Sequence, residues 1–211
     1  NLCFTGFLLL LLTFVSCVRD GEEECPEGSV RLRVFAERFQ NRSQDPLSDR
    51  ESIFCDRVSH LRYYIYQDGV LNDSNIVNTF TRAISDSYVL DLPNLPFGNY
   101  KVVLIANSTK TALSGDPSTI DNLLITFPGC KDTEDYFATV FDFSVNSAES
   151  KEYNVGLSRL HGVIRYTFKN LPADASDVEV IMENVSNEKW VTGQYGKACK
   201  ADLRYAMIPV T

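Results

Sequence analysis

Residues 29–36 read SVRLRVFA. Along an extended chain, Val30, Leu32, Val34 and Ala36 fall on one side, and Arg31, Arg33 and Glu37 on the other. Successive side chains of a strand point to opposite faces, so one apolar and one charged face predict a half-buried β-strand. A helix would scatter the same residues around its circumference. The rhythm returns downstream. VSHLRYYIYQDGVL, 58–71, is a strand running into an Asp68-Gly69 turn, a pair that favours tight hairpins. SYVLDL, 87–92, is short and strand-like. In LPNLPFGNYKVVLIAN, 92–107, Pro96 and Gly98 mark a turn, and Tyr100, Val102, Leu104 and Ala106 alternate beyond it. In YFATVFDFSV, 136–145, Phe137, Thr139, Phe141 and Phe143 share a side. Helical periodicity is scarce, so the chain reads as all-β.

Between these strands lie polar segments. QNRSQDPLSDRES, 40–52, is a long exposed loop, and 107–121 is rich in Ser, Thr and Asp. NLLITF, 122–127, is a weak strand. SAESKEYN, 147–154, reads as a domain junction, followed by strand-like runs at 155–171, 177–185 and 189–195. A sandwich takes about seven strands in roughly 100 residues. The expectation is therefore one whole β-sandwich at 25–148 and a second, incomplete one at 149–211.

The N-terminus carries an address. From Leu2 to Ser16 the chain holds no charge, fifteen residues where a bilayer-spanning helix needs about 20. The run reads as the apolar region of a secretory signal at 1–16, and a start at Asn1 rather than Met reads as truncation. FVSC, 14–17, resembles a bacterial lipobox, with Phe14 where Leu is usual. The Cys17 thiol would take a diacylglycerol, and cleavage before it would free an amine for another acyl chain. Each buried methylene contributes about 0.8 kcal/mol, and two chains hold where one does not. VRDGEEE, 18–24, is too polar to pack and reads as a tether.

Removal of residues 1–16 leaves 195 of 211, and the net charge of −8 lies wholly in that remainder. An acidic surface disfavours nucleic acid as a partner. Of six cysteines, Cys25, Cys55, Cys130 and Cys199 remain after Cys3 and Cys17 are set aside, with three possible pairings. Cys25 and Cys55 each precede a strand, and a Cys25–Cys55 disulfide is expected. No CxxC, HExxH, GxSxG or phosphate-binding glycine loop is present, and His60 and His161 have no ligand-like partner in sequence, so neither enzyme nor metal nor cofactor is expected. The tyrosines of LRYYIYQ, 61–67, fit either cross-strand bracing or carbohydrate contact. Trp190 reads as a core or edge residue of the second unit. Sequons at Asn41, Asn72, Asn107 and Asn184 mark loops.

CPEGSVRLRVF after a lipobox, then CDRVSHLRYYIYQDGVL, then YVLDLPNLPFGNYKVVLIAN with its Leu-Pro-x-Gly-x-Tyr strand, together resemble the FimB/Mfa2 family of Bacteroidetes fimbrial anchor subunits. The resemblance runs from Cys17 to Asn107 and more weakly to Tyr195. It implies two transthyretin-like, Ig-like β-sandwich domains. It also implies a surface-exposed outer-membrane lipoprotein that anchors a fimbrial shaft and limits its length, with shaft subunits and the membrane as partners. The acidic run after Cys17 resembles the surface-export signal of Bacteroidetes lipoproteins. Shaft subunits of the superfamily lose a first strand by cleavage after Arg, and Arg42 and Arg50 lie in the loop after the first strand here, so a shaft or tip subunit is the alternative. A surface lipoprotein binding glycan or a host ligand is another.

If Cys17 carries the lipid, labelled palmitate enters the wild-type protein and not Cys17→Ser, and the variant leaves the membrane fraction. Equal labelling of the two rejects the assignment.

Overall fold

A computed structural model of the chain describes residues 26–37, 54–80, 86–108, 113–127, 135–160, 168–170, 172 and 177–206. The alternating segments are strands: β1 (Glu27–Ala36), β2 (Leu61–Gln67), β3 (Val70–Val77), β4 (Ser87–Pro96), β5 (Gly98–Ala106) and β8 (Phe137–Val145). Shorter pieces follow β5: β6 (Leu113–Ser114), a 3-10 turn (Ile120–Asn122) and β7 (Leu124–Thr126). Then come β9 (Lys151–Arg159), β10 (Asp177–Ser186), β11 (Glu188–Trp190) and β12 (Ala198–Ala206). One short helix, α1 (Phe54–Arg57), precedes β2.

Seven strands join in the order β3-β2-β5-β8-β9-β1-β4. All neighbours are antiparallel except β1 and β9, which run parallel. β8 and β9 pair only at Phe137↔Arg159 and Ala138↔Ser158, so the sheet folds there into two layers. The layers close on one core. Val30, Leu32 and Val34 of β1 meet Ile65, Val102 and Leu104 of β2 and β5, with Val155 and Leu157 of β9. The residues alternating inward in 29–36 are thus buried, as their pattern predicts.

β5 departs from that pattern. Tyr100, Val102, Leu104 and Ala106 face the main core, while Val103 and Ile105 on its other face are equally buried. A second core lies there, built with Tyr64 and Tyr66 and roofed by Leu123, Ile125 and Phe127. The roof is a small sheet, β11-β7-β6.

The expected boundary between residues 148 and 149 falls in the β8–β9 loop, and β9 beyond it joins the seven-stranded sheet. SAESKEYN looks like a junction because Ala148, Glu149 and Ser150 are small or polar and exposed in a loop. Val155 and Leu157 just beyond are core residues of the first sandwich. The later chain also returns: β11 pairs with β7 at Glu188↔Thr126, Lys189↔Ile125 and Trp190↔Leu124. Trp190 is therefore on the edge strand of the small sheet that roofs the second core. β10 and β12 form a two-stranded antiparallel sheet, with a register break between Met182 and Val185 where Asn184 takes φ 59°.

Two local devices fix the corners. In LPFGNY the Tyr100 hydroxyl donates to the Pro96 carbonyl at 2.6 Å, holding the turn that carries the chain from one layer to the other. At the far end of β5, Asn107 adopts φ 64°, a left-handed conformation that Asn tolerates better than most residues. Its buried amide donates to the carbonyls of Arg57 and Asp135 at 2.6 and 2.7 Å. Its oxygen accepts from the backbone N–H of Ser59 at 2.8 Å and from the Ser59 hydroxyl. One side chain thus joins α1, the start of β2, the end of β5 and the entry to β8. Asn107 lies in the bend just after β5, as its reading as a loop marker expects, but is buried; Asn72 and Asn184 are exposed yet lie within β3 and β10, and Asn41 lies outside the described residues.

Unpaired buried polar groups cost about 1–3 kcal/mol each. Asn107→Ala should lower stability to urea by about 2–4 kcal/mol on that basis. Asn107→Gly, which accepts the backbone angle without the amide, should recover only the conformational part. A glycine variant as stable as wild type would show that the hydrogen bonds contribute nothing.

Candidate functional site

The tyrosines of LRYYIYQ are committed to packing. Tyr63 and Ile65 point into the main core, and Tyr64 and Tyr66 into the second. Burial, then the neighbouring Tyr64 and Asp116, pushes the Tyr66 phenol up to about 12. It stays neutral and donates to the Pro117 carbonyl at 2.8 Å. An open depression of about 430 Å³ passes beside Tyr66, Tyr100 and Phe143. The hydroxyls of Tyr66 and Tyr100 are already bonded, and Lys101 on its rim pairs with Asp142. No aromatic platform for a sugar ring is built here.

The histidine and cysteine readings can be placed in part. His60 Nε2 lies 2.7 Å from the Ser108 carbonyl and Nδ1 3.1 Å from the Ser59 hydroxyl, a structural position; His161 lies outside the described residues. No group of three metal-ligating side chains occurs among the described residues. Cys17 and Cys25 lie outside the described residues, as do Arg42 and Arg50. Cys55, in α1, carries a free thiol. α1 is tied to the C-terminal end of β1, where Arg57 Nη1 donates to the Glu37 carbonyl. Cys25 lies outside the described residues, and with it the expected Cys25–Cys55 disulfide.

What the surface does offer is strand edges. β1, the first strand, is interior. Its register with β4 runs from Glu27↔Pro96 to Phe35↔Ser87, and with β9 from Val30↔Lys151 to Ala36↔Leu157. Across these three strands the outward side chains form a charged row, with Arg31 paired to Asp91 at 2.9 Å and Arg33 to Glu152 at 2.8 Å. Such exposed pairs add little to stability, because water screens them, and serve mainly to keep this face polar.

β3 is an edge strand. Alternate N–H groups on an edge point away from the sheet and invite another chain. On β3 two such groups are occupied locally: Ser74 N–H donates to Asp73 Oδ1 and Ile76 N–H to Asn75 Oδ1, both at 2.7 Å. The polar run NDSN, unremarkable in sequence, closes this edge. β4 is the opposite edge of the seven-stranded sheet. Pro93 has no N–H and Asn94 takes φ 56°, so regular pairing along β4 is limited to Ser87–Leu92. β10 and β12 each pair on one side only among the described residues, and Ile181 is 51% exposed.

Asp73→Ala combined with Asn75→Ala should open β3 and raise the mass seen by light scattering through edge-to-edge pairing. An unchanged mass, with the fold intact by circular dichroism, would show that the side-chain caps do not protect this edge.

The match to known proteins agrees with this architecture. In structure the chain is similar to the fimbrial anchor protein Mfa2 from Porphyromonas gingivalis, with a TM-score of 0.53 and 12% identity, over 83% of this chain and 66% of that one. It is similar to a candidate polysaccharide-binding protein of Bacteroides thetaiotaomicron, with a TM-score of 0.54 and 11% identity, over 87% and 72%. It is also similar to a candidate adhesin of Bacteroides ovatus, with a TM-score of 0.54 and 13% identity, over 89% and 69%. At these identities the likeness shows the fold alone. No curated protein matches the chain in sequence. The model of the fimbrillin-A associated anchor proteins Mfa1 and Mfa2 matches residues 22–206, most of the chain, and the chain belongs to that family.

Proposed function

We propose that this fimbria-associated protein holds a fimbrial shaft on the outer membrane as a lipoprotein acylated at Cys17, and limits its length. The observation that supports this reading is the place of β1. In a polymer built by strand donation, each shaft subunit must offer an open slot. Here the slot a first strand would leave is filled by the chain's own β1, paired on both sides. A subunit completed by its own strand ends the series instead of extending it. That is the property required at the base of a fimbria, and it also sets a limit on growth.

The contact with the shaft is then strand addition at an edge. Backbone hydrogen bonds along the added strand give affinity, and pockets for alternate side chains choose the partner. β3 is capped, so the partner strand is expected on β10, on β12, or on β4 between Ser87 and Leu92. No catalytic group is needed for this role. Glycan binding is the less supported reading, because the tyrosines that motivated it are buried.

Deletion of the gene should leave shaft subunits in production while fimbriae become longer or are shed into the medium, measured by electron microscopy and by fimbrial protein in the supernatant. Unchanged length and retention, with the purified protein binding a glycan on an array, would overturn the anchoring role.

A further inference from the structure

We infer that the parallel β1–β9 ladder is a shear clamp that lets the first sandwich carry tension along the fimbria without unfolding. The inference rests on the anchoring reading for the direction of the load, and on the sheet topology for the response to it.

The ends of the two strands define the load path. β1 and β9 run in the same direction through seven consecutive register pairs, Val30↔Lys151 to Ala36↔Leu157, with no break. Their N-terminal ends lie at one pole of the sandwich and their C-terminal ends at the other. The chain toward Cys17 leaves β1 from the Pro26 pole. The chain toward β10, β11 and β12 leaves β9 at Leu160, from the opposite pole. Tension between a membrane anchor and anything held beyond β9 therefore pulls the two strands past one another along their length.

In this geometry the hydrogen bonds of the ladder, evenly spaced in a parallel pair, stretch together and must fail together. If the strands were pulled apart from a common end, the same bonds would fail one after another at a much lower force. Three features reinforce the shear geometry. β1 is interior, so its withdrawal also slides its ladder with β4 from Val30↔Leu92 to Phe35↔Ser87. Val30, Leu32 and Val34 must leave the core at the same step. Beyond the ladder, Glu37 N–H donates to the Leu157 carbonyl at 2.9 Å, and the Ser158 hydroxyl donates to the Glu37 carboxylate at 2.6 Å.

The test is single-molecule force spectroscopy of the full chain along two axes. One places handles at the two chain ends. The other places one handle at residue 37 and one at the C-terminus, so that β1 and β9 are drawn apart from the same pole. The terminal axis should require at least about twofold more force to open the first sandwich, since its bonds are loaded in parallel. Both axes are measured on the chain substituted at position 37, so that loss of the Glu37 carboxylate weakens them equally and cannot itself produce a difference. Equal forces on the two axes overturn the clamp, whatever the fimbriae do. A twofold ratio in a protein whose deletion leaves fimbriae attached supports the clamp and overturns the anchoring role.

Discussion

The structure depends on β1 being paired along both of its edges. A strand of ten residues with only one partner would leave a row of N–H and C=O groups unsatisfied at the centre of the sandwich. With β4 on one side and β9 on the other, β1 satisfies them and also supplies Val30, Leu32 and Val34 to the core. The pairing requires β9 to run parallel to β1. That in turn requires β9 to leave β8 after a two-residue contact and cross to the opposite layer. The fold of the sheet, the closure of the core and the filled first-strand slot all follow from this one arrangement.

The same arrangement decides how the molecule meets a partner. An interface made by strand addition uses backbone groups, so its chemistry is present wherever an edge is open. What distinguishes the edges here is how each is treated. β3 spends Asp73 and Asn75 on its own N–H groups, and β4 is interrupted at Pro93. β10 and β12 pair with each other, and Ile181 on β10 stands exposed. Membership in the anchor family agrees with a protein whose contacts are structural.

Much of the fold was legible one strand at a time. The period-two alternation of 29–36 and 136–145 named the buried faces, and Asp68-Gly69 marked the hairpin, where both residues take positive φ. The Leu-Pro-x-Gly-x-Tyr run and its terminal Ala-Asn were visible as a pattern. The structure supplies their reason: the Tyr100–Pro96 bond at one corner and the four hydrogen bonds of Asn107 at the other. The candidate site was much less legible. A polar run such as NDSN reads as a loop or a solvated face, and its capping of β3 depends on which N–H groups point outward.

The sequence by itself determined the all-β class, the inward face of β1, the main-core face of β5, the tight turns, and the absence of recognisable catalytic or metal-binding motifs. Side-chain alternation is a property of a single strand, so one strand's sequence suffices to show it. Only the tertiary structure decided that β9 returns to the first sheet, that β11 roofs the second core by pairing with β7, and that β1 is interior. A strand's sequence specifies its faces, whereas its edges are peptide groups common to every residue. Which edge meets which is settled when the apolar faces must close on one another, and that choice involves the whole chain at once.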